Sequence, residues 1–197
     1  MDVNIKWLNQ KKAENITRVL LGQEYETILV NSLDEIKTIL LNKIPKEESI
    51  ILGDSCVLED LNLIDAFYKN GNYIFNYQHE PSLEIKQEIR RQGLLADTFI
   101  TEIDFVTEQG ELILQGGFSN CASIFGPNKI YGIIGINKIV KNLKDAEIKS
   151  QLILEANSFR EKSYYDKDLY NNLGIIHNGK KFPNKYTLFV LNDSLGF

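Results

Sequence analysis

Apolar and polar positions alternate along this chain in blocks that predict helices and short strands in regular succession. Trp7, Leu8, Ala13, Ile16, Val19 and Leu20 recur at helical spacing. They predict a helix over residues 1–22, ending near Gly22, since glycine takes the left-handed cap conformation cheaply. Thr27–Val30 is a short strand. Ser32 with Glu35 forms a capping box ahead of the stripe Leu33, Ile36, Ile39, Leu40 and Ile44, and Pro45 follows the helix. Ile50–Leu52 is too apolar for a strand with one solvated face. Beyond Gly53-Asp54-Ser55-Cys56, the positions Val57, Leu58, Leu61, Ile64 and Tyr68 predict one helix, then a turn at Asn70–Asn72 and a strand at Tyr73–Phe75. Pro81 opens a helix with Leu83, Ile85, Ile89 and Leu94 on its apolar positions, and Thr98–Ile100 is a fourth strand.

The stretch from Thr107 to Val140 is the densest in turn and strand signals. Glu108-Gln109-Gly110 reads as the turn before an antiparallel strand at Glu111–Leu114. A glycine-rich loop, a short helix near Asn120–Phe125 and a turn at Gly126-Pro127-Asn128 lead into a buried strand, Ile130–Ile136. Asn142, with Asp145 three residues on, starts a long helix toward Arg160. Residues 161–184 are rich in Tyr, Lys and Asn without clear period and read as an irregular surface excursion, before a closing strand at Tyr186–Leu191. Strands alternating with helices make this an α/β fold. The expectation is one domain over 1–197, a mostly parallel sheet with helices on both faces and one antiparallel excursion.

Charge and cysteine content narrow the function classes. With 27 acidic and 22 basic residues the net charge is −5, which argues against general nucleic-acid binding, because that needs a cationic surface to release counterions. Cys56 and Cys121 lie far apart without CxxC spacing. They build neither a disulfide framework nor a zinc or iron–sulfur cassette, and both read as small buried helix residues in a cytoplasmic protein. No secretory signal is legible at the start, and no apolar run reaches membrane-span length. His79 and His177 read as surface residues.

Candidate chemistry gathers at loops that follow strands. Gly53-Asp54-Ser55 leaves a strand and opens a helix, so its amides suit an anion, while Asp54 or Ser55 serves equally well as a plain helix cap. Asp54, Glu102, Asp104 and Glu108 also follow strands. They read first as solvated loop acids; brought together, they would bind a divalent cation or hold one general acid of raised pKa. Asn137-Lys138 follows the most buried strand, where Lys138 meets either a ligand or a neighbouring acid.

These residues together resemble the LUD (lactate-utilisation) domain family. The resemblance rests on Gly53-Asp54-Ser55 with Leu58, Ala96-Asp97, Thr107–Leu112, Phe125-Gly126-Pro127 and Gly135–Val140. Asn157 with Arg160 and Leu195-Gly196 add weaker matches, in the family's order. It implies a fold like that of the NagB/RpiA/CoA-transferase group, and association with the oxidation of lactate to pyruvate beside iron–sulfur partner proteins. The expected ligand is a small carboxylate or phosphorylated molecule held by Ser55, Asn120, Asn137, Lys138 and Arg160, with Gly53 and Asp54 in the first loop. Thr107, Gly110, Gly116 and Gly117 would shape the backbone around it. Where the family's second loop reads Asp-Gly-x-Gly-Asn-Arg, this chain has Gln115–Cys121 without the Arg, which weighs against a strongly anionic ligand. No cofactor is expected in the chain itself, since the Cys-rich tail of longer relatives is missing. Two rivals are a stand-alone enzyme on a sugar phosphate or acyl-CoA, and a degenerate interaction module without activity.

Overall fold

The computed structural model describes residues 2–78, 80–116, 124–160 and 172–196, excepting the side chains of 157–160. Six strands form one sheet, all parallel, in the order β1-β10-β7-β4-β2-β3. They are β1 (Glu26–Val30), β2 (Ser49–Leu52), β3 (Tyr73–Ile74), β4 (Thr98–Glu102), β7 (Lys129–Gly135) and β10 (Tyr186–Leu191). The central strands are apolar on both faces because both faces are covered, as the sequence of Ile50–Leu52 and Ile130–Ile136 predicts.

Helix α2 (Leu33–Lys43) and the pair α3 (Cys56–Asp60) and α4 (Leu63–Asn70) pack one face, where Ile36, Leu40, Leu63 and Phe67 meet Ile50, Ile100, Ile133 and Phe189. Helix α1 (Val3–Gly22) and α5 (Leu83–Gly93) belong to the other face, whose core holds Ala13, Ile16 and Leu20 with Ile51, Phe99, Ile134 and Leu188. The Ser32 hydroxyl accepts the Glu35 N–H at 3.2 Å, and the Glu35 carboxylate accepts the Asn31 N–H at 2.9 Å. The capping box therefore forms, displaced by one residue on its return arm.

A second sheet, absent from the sequence expectation, packs against the α1 side. Its order is β8 (Ile139–Val140), β5 (Phe105–Thr107), β6 (Leu112–Gln115) and β9 (Leu173–Ile176). The expected antiparallel strand is β6, but it departs from the main sheet altogether and pairs with β5 and β9. Strand β9 also corrects the irregular excursion expected over 161–184. Leu173 and Ile175 face the hydrophobic cluster under α6 (Leu143–Arg160), and Ile176 faces the main core. Residues 161–171 lie outside the described residues, as do residues 120–123 of the expected short helix; Ile124 and Phe125 form a turn.

Two helices differ from expectation. The single helix read across Val57–Tyr68 breaks at Asn62, whose φ of 47° is left-handed, a conformation asparagine tolerates. The break turns Phe67 inward and leaves Tyr68 exposed, and the Leu61 carbonyl at the break accepts Lys37 Nζ at 2.7 Å. On α5, Leu83 and Ile85 face solvent, because the helix meets the sheet at its far end: a methyl on Gly93 would lie 2.1 Å from Ile51 Cδ1. Among the described residues, no helix is long and apolar enough to cross a membrane.

Strand order fixes where a ligand crevice falls. The chain leaves β2 toward β3, over the α3–α4 face, and leaves β4 the opposite way toward β7, over the second-sheet face. Neighbouring strands with oppositely directed exits open a crevice at their carboxyl ends, here between β2 and β4. Gly53 sits at that end and continues the ladder through its N–H to the Ile100 carbonyl at 2.9 Å. Any side chain there would strike Thr101, with Cβ 2.4 Å from its Oγ1.

Candidate functional site

Glu102 ends β4 and Asp104 precedes β5, so the chain passes from one sheet to the other between two carboxylates. Beside it, Ile136–Lys138 is a 3-10 turn that carries the chain from β7 to β8. Strands β4 and β7 are neighbours in the first sheet, and β5 and β8 are neighbours in the second, so the two crossings run side by side. That arrangement brings Lys138 Nζ to 2.9 Å from Glu102 Oε1, with both side chains nearly buried. The Ser55 hydroxyl, from the loop after β2, donates to Glu102 Oε2 at 2.7 Å. Glu102 Oε1 is fully buried and, apart from its ion pair, accepts no aligned hydrogen bond.

Asp104 Oδ2 accepts the Gln115 N–H at 2.7 Å, which ties the start of β5 to the end of β6. Although part of its surface still meets solvent, the protein packed around it pushes the Asp104 carboxyl up to about 7. The Gln115 N–H and the Lys138 charge pull the other way, and the Glu102 charge adds to the rise. Glu102 and Asp104 are thus not the solvated loop acids of the first reading, and Lys138 is both salt-bridged and in the crevice. Among the described residues, no group of three or more His, Cys, Asp or Glu side chains is placed to hold a metal ion.

The remaining expected site residues divide sharply. Ser55 caps α3, accepting the Val57 N–H at 3.1 Å while its proton goes to Glu102, so the expected cap forms and the same hydroxyl also reaches the ion pair. Asp54 turns the other way, to Arg90 Nη2 at 2.6 Å. Asn137 lines the edge, but its amide is spent on the backbone of Leu195, accepting its N–H at 2.9 Å and donating to its carbonyl at 2.8 Å. This clasp lays Gly196 over the ion pair; a methyl there would sit 3.3 Å from Glu102 Oε1.

Thr107 and Gly110 build a separate turn. Thr107 Oγ1 accepts the Glu111 N–H at 3.1 Å, and Gly110, with φ 89°, packs against Val19 and Gln23 of α1. This turn bonds to Glu111 and to the end of α1 rather than to Ser55, Glu102 or Lys138. Glu108 is exposed in the same turn. Gly116 continues β6 with its N–H on the Asn172 carbonyl at 3.2 Å. Gly117, Asn120, Cys121 and the Arg160 side chain lie outside the described residues, as does His79. His177 Nδ1 lies 2.8 Å from Glu111 and is exposed, as expected, whereas Cys56 is exposed rather than buried.

Two neighbours of the crevice went unnoticed in the sequence. The Arg90 guanidinium stacks over the Tyr77 ring at 4.5 Å, and the Tyr77 hydroxyl donates to the Leu52 carbonyl at 2.7 Å. Burial, then the Asp54 charge, pushes the Tyr77 hydroxyl far up, so it stays protonated. Nothing in the spacing marks Arg90, which reads as an ordinary cation in the last turn of a helix.

A family model described as the LUD domain matches residues 13–167. The chain belongs to the LUD domain family. A DUF162 family protein from Deinococcus radiodurans superposes on this LUD domain with TM-score 0.54 at 13% identity, covering 93% of this chain and 97% of its own. It shares the fold, the mostly parallel sheet flanked by helices. Ribose 5-phosphate isomerase A from Neisseria gonorrhoeae overlaps in part, over 64% of this chain and 67% of its own, with TM-score 0.36 and 18% identity. No curated protein gives a significant match.

Proposed function

We propose that this LUD domain binds a small organic acid, lactate or a close relative, and serves as an accessory subunit in its oxidation. The buried Glu102–Lys138 pair at the β2–β4 crevice, joined by the Ser55 hydroxyl, carries the reading. A 2-hydroxy acid presents an anion and a hydroxyl close together. The crevice answers the hydroxyl with the carboxylate of Glu102, held in place by the Ser55 proton and the Lys138 charge. In this reading the redox centres, iron–sulfur groups among them, reside in partner proteins in the cytoplasm.

Thermal-shift titration of the purified protein with L-lactate, D-lactate and pyruvate tests the reading. A ligand at a hundred times its Kd adds about 2.7 kcal/mol to the folded state. For a domain of this size that is a rise of about 5–10 °C in Tm. A Tm unmoved by all three acids at millimolar concentration would contradict the reading.

One observation favours a second reading, a stand-alone acid–base enzyme on a sugar phosphate or acyl-CoA. Asp104, with its carboxyl near neutrality, is poised to give and take a proton. In that reading Asp104→Asn abolishes turnover found in a panel of isomerase and transferase substrates, typically by a factor of about 100 or more. A silent panel with wild-type protein counts against it.

A further inference from the structure

We infer that Arg90 is the anion receptor of the crevice, taking a carboxylate or phosphate oxygen pair, and that Asp54 occupies it as an internal competitor. The inference deepens the organic-acid reading and rests on it for the placement of the ligand.

Arginine carries five N–H donors in a rigid plane. Arg90 Nη2 meets Asp54 Oδ2 at 2.6 Å, and the Tyr77 hydroxyl lies beside the guanidinium. Nε is fully buried and meets no hydrogen-bond acceptor among the described residues. Buried donors are almost always satisfied in folded proteins, and an exception of this kind marks a place for a water or an ion. The guanidinium is also held in position before any ligand arrives. Tyr77 lies beneath it, anchored through its hydroxyl to the Leu52 carbonyl at the end of β2. A fork fixed in advance loses little freedom on binding an oxyanion.

The neighbouring cation is less suited to this task. Lys138 is already neutralised by Glu102 and almost closed to solvent, whereas about a quarter of the Arg90 side chain is exposed (24%). Asp54, at 47% exposure, is the more solvated member of its pair with Arg90. Asp54 and Ser55 are consecutive in the loop after β2, so an anion at Arg90 would lie against the same loop that presents Ser55 to Glu102. The competitor explains an acidic residue in a loop otherwise suited to anions: with no ligand present it neutralises the guanidinium.

Calorimetric titration of L-lactate, pyruvate and inorganic phosphate into wild type, Arg90→Gln, Arg90→Lys and Asp54→Asn tests the inference. Arg90→Gln is expected to weaken the bound anion at least tenfold, and Arg90→Lys nearly as much, because the lysine keeps the charge but loses the plane. Asp54→Asn, a change at a half-exposed side chain, is expected to tighten it about threefold. Phosphate binding that depends on Arg90, with no binding of either organic acid, supports the receptor and sinks the organic-acid reading instead. Organic acids bound equally by wild type and Arg90→Gln overturn the receptor while leaving that reading standing. Asp54→Asn binding no anion, or binding it more weakly than wild type, also overturns the receptor.

Discussion

Replacing Lys138 with methionine is expected to destabilise the fold by about 3–5 kcal/mol, the cost of leaving one member of a buried ion pair without its counterion. Both side chains are nearly buried, so little of the interaction is lost to solvent screening. The Glu102 carboxylate would keep the Ser55 hydroxyl at 2.7 Å as its one donor, with Asp104 nearby to repel it. Glu102→Gln in the same background removes the stranded charge and is expected to recover a large part of the loss. Urea unfolding of the two single variants and the double variant measures this as a coupling energy. Additive effects, or a loss for Lys138→Met under about 1 kcal/mol, would mean that the pair is an ordinary surface contact.

Asp104→Asn is expected to stabilise the protein by an amount that grows as pH rises above about 4 and is complete near pH 7. An acid whose folded pKa lies above its unfolded value binds more protons when folded. Stability therefore falls as pH rises from the unfolded value, 3.8, to about 7, and stays low above that. Asparagine keeps an oxygen for the Gln115 N–H and has no charge to desolvate. At roughly 1.4 kcal/mol for each pKa unit the ceiling of the gain is about 4 kcal/mol, and the solvent still touching Asp104 brings it nearer 2. Unfolding free energies of both proteins at pH 4 and pH 8 check this. The expected gap is negligible at pH 4 and wide at pH 8; an equal gap at both would deny Asp104 its raised pKa.

The main sheet was legible because its signals are local. Capping residues at Ser32 and Asn142 mark helix starts, and runs such as Ile50–Leu52 are too apolar for anything but a doubly covered strand. The second sheet was hidden because its strands run two to four residues, too short for a period, and because β6 and β9 pair across some sixty residues of chain. The exposed Leu83 and Ile85 misled for a related reason. Periodicity shows an apolar face and leaves open whether anything covers it.

The site divides along the same line. Ser55, Glu102, Asp104 and Lys138 were visible as residues after strands, but their meeting depends on β2, β4 and β7 standing side by side. Strand order is a property of long-range packing, and no local spacing encodes it. Asn137 shows the converse: a residue at the right edge of the sheet whose amide is consumed by Leu195. Thr107 and Gly110 lie in a conspicuous turn whose conformation serves the docking of α1.

A crystal structure of the protein soaked with pyruvate is the most direct measurement of where the ligand sits. Density is expected at the carboxyl ends of β2 and β4, bounded by Ser55, Glu102, Lys138 and Arg90. Density instead in the groove of about 420 Å³ beside α3 and α4, lined by Leu58, Asn62, Ile64 and Gln78, would contradict the assignment of the crevice. So would a crevice left empty beside ligand bound anywhere else.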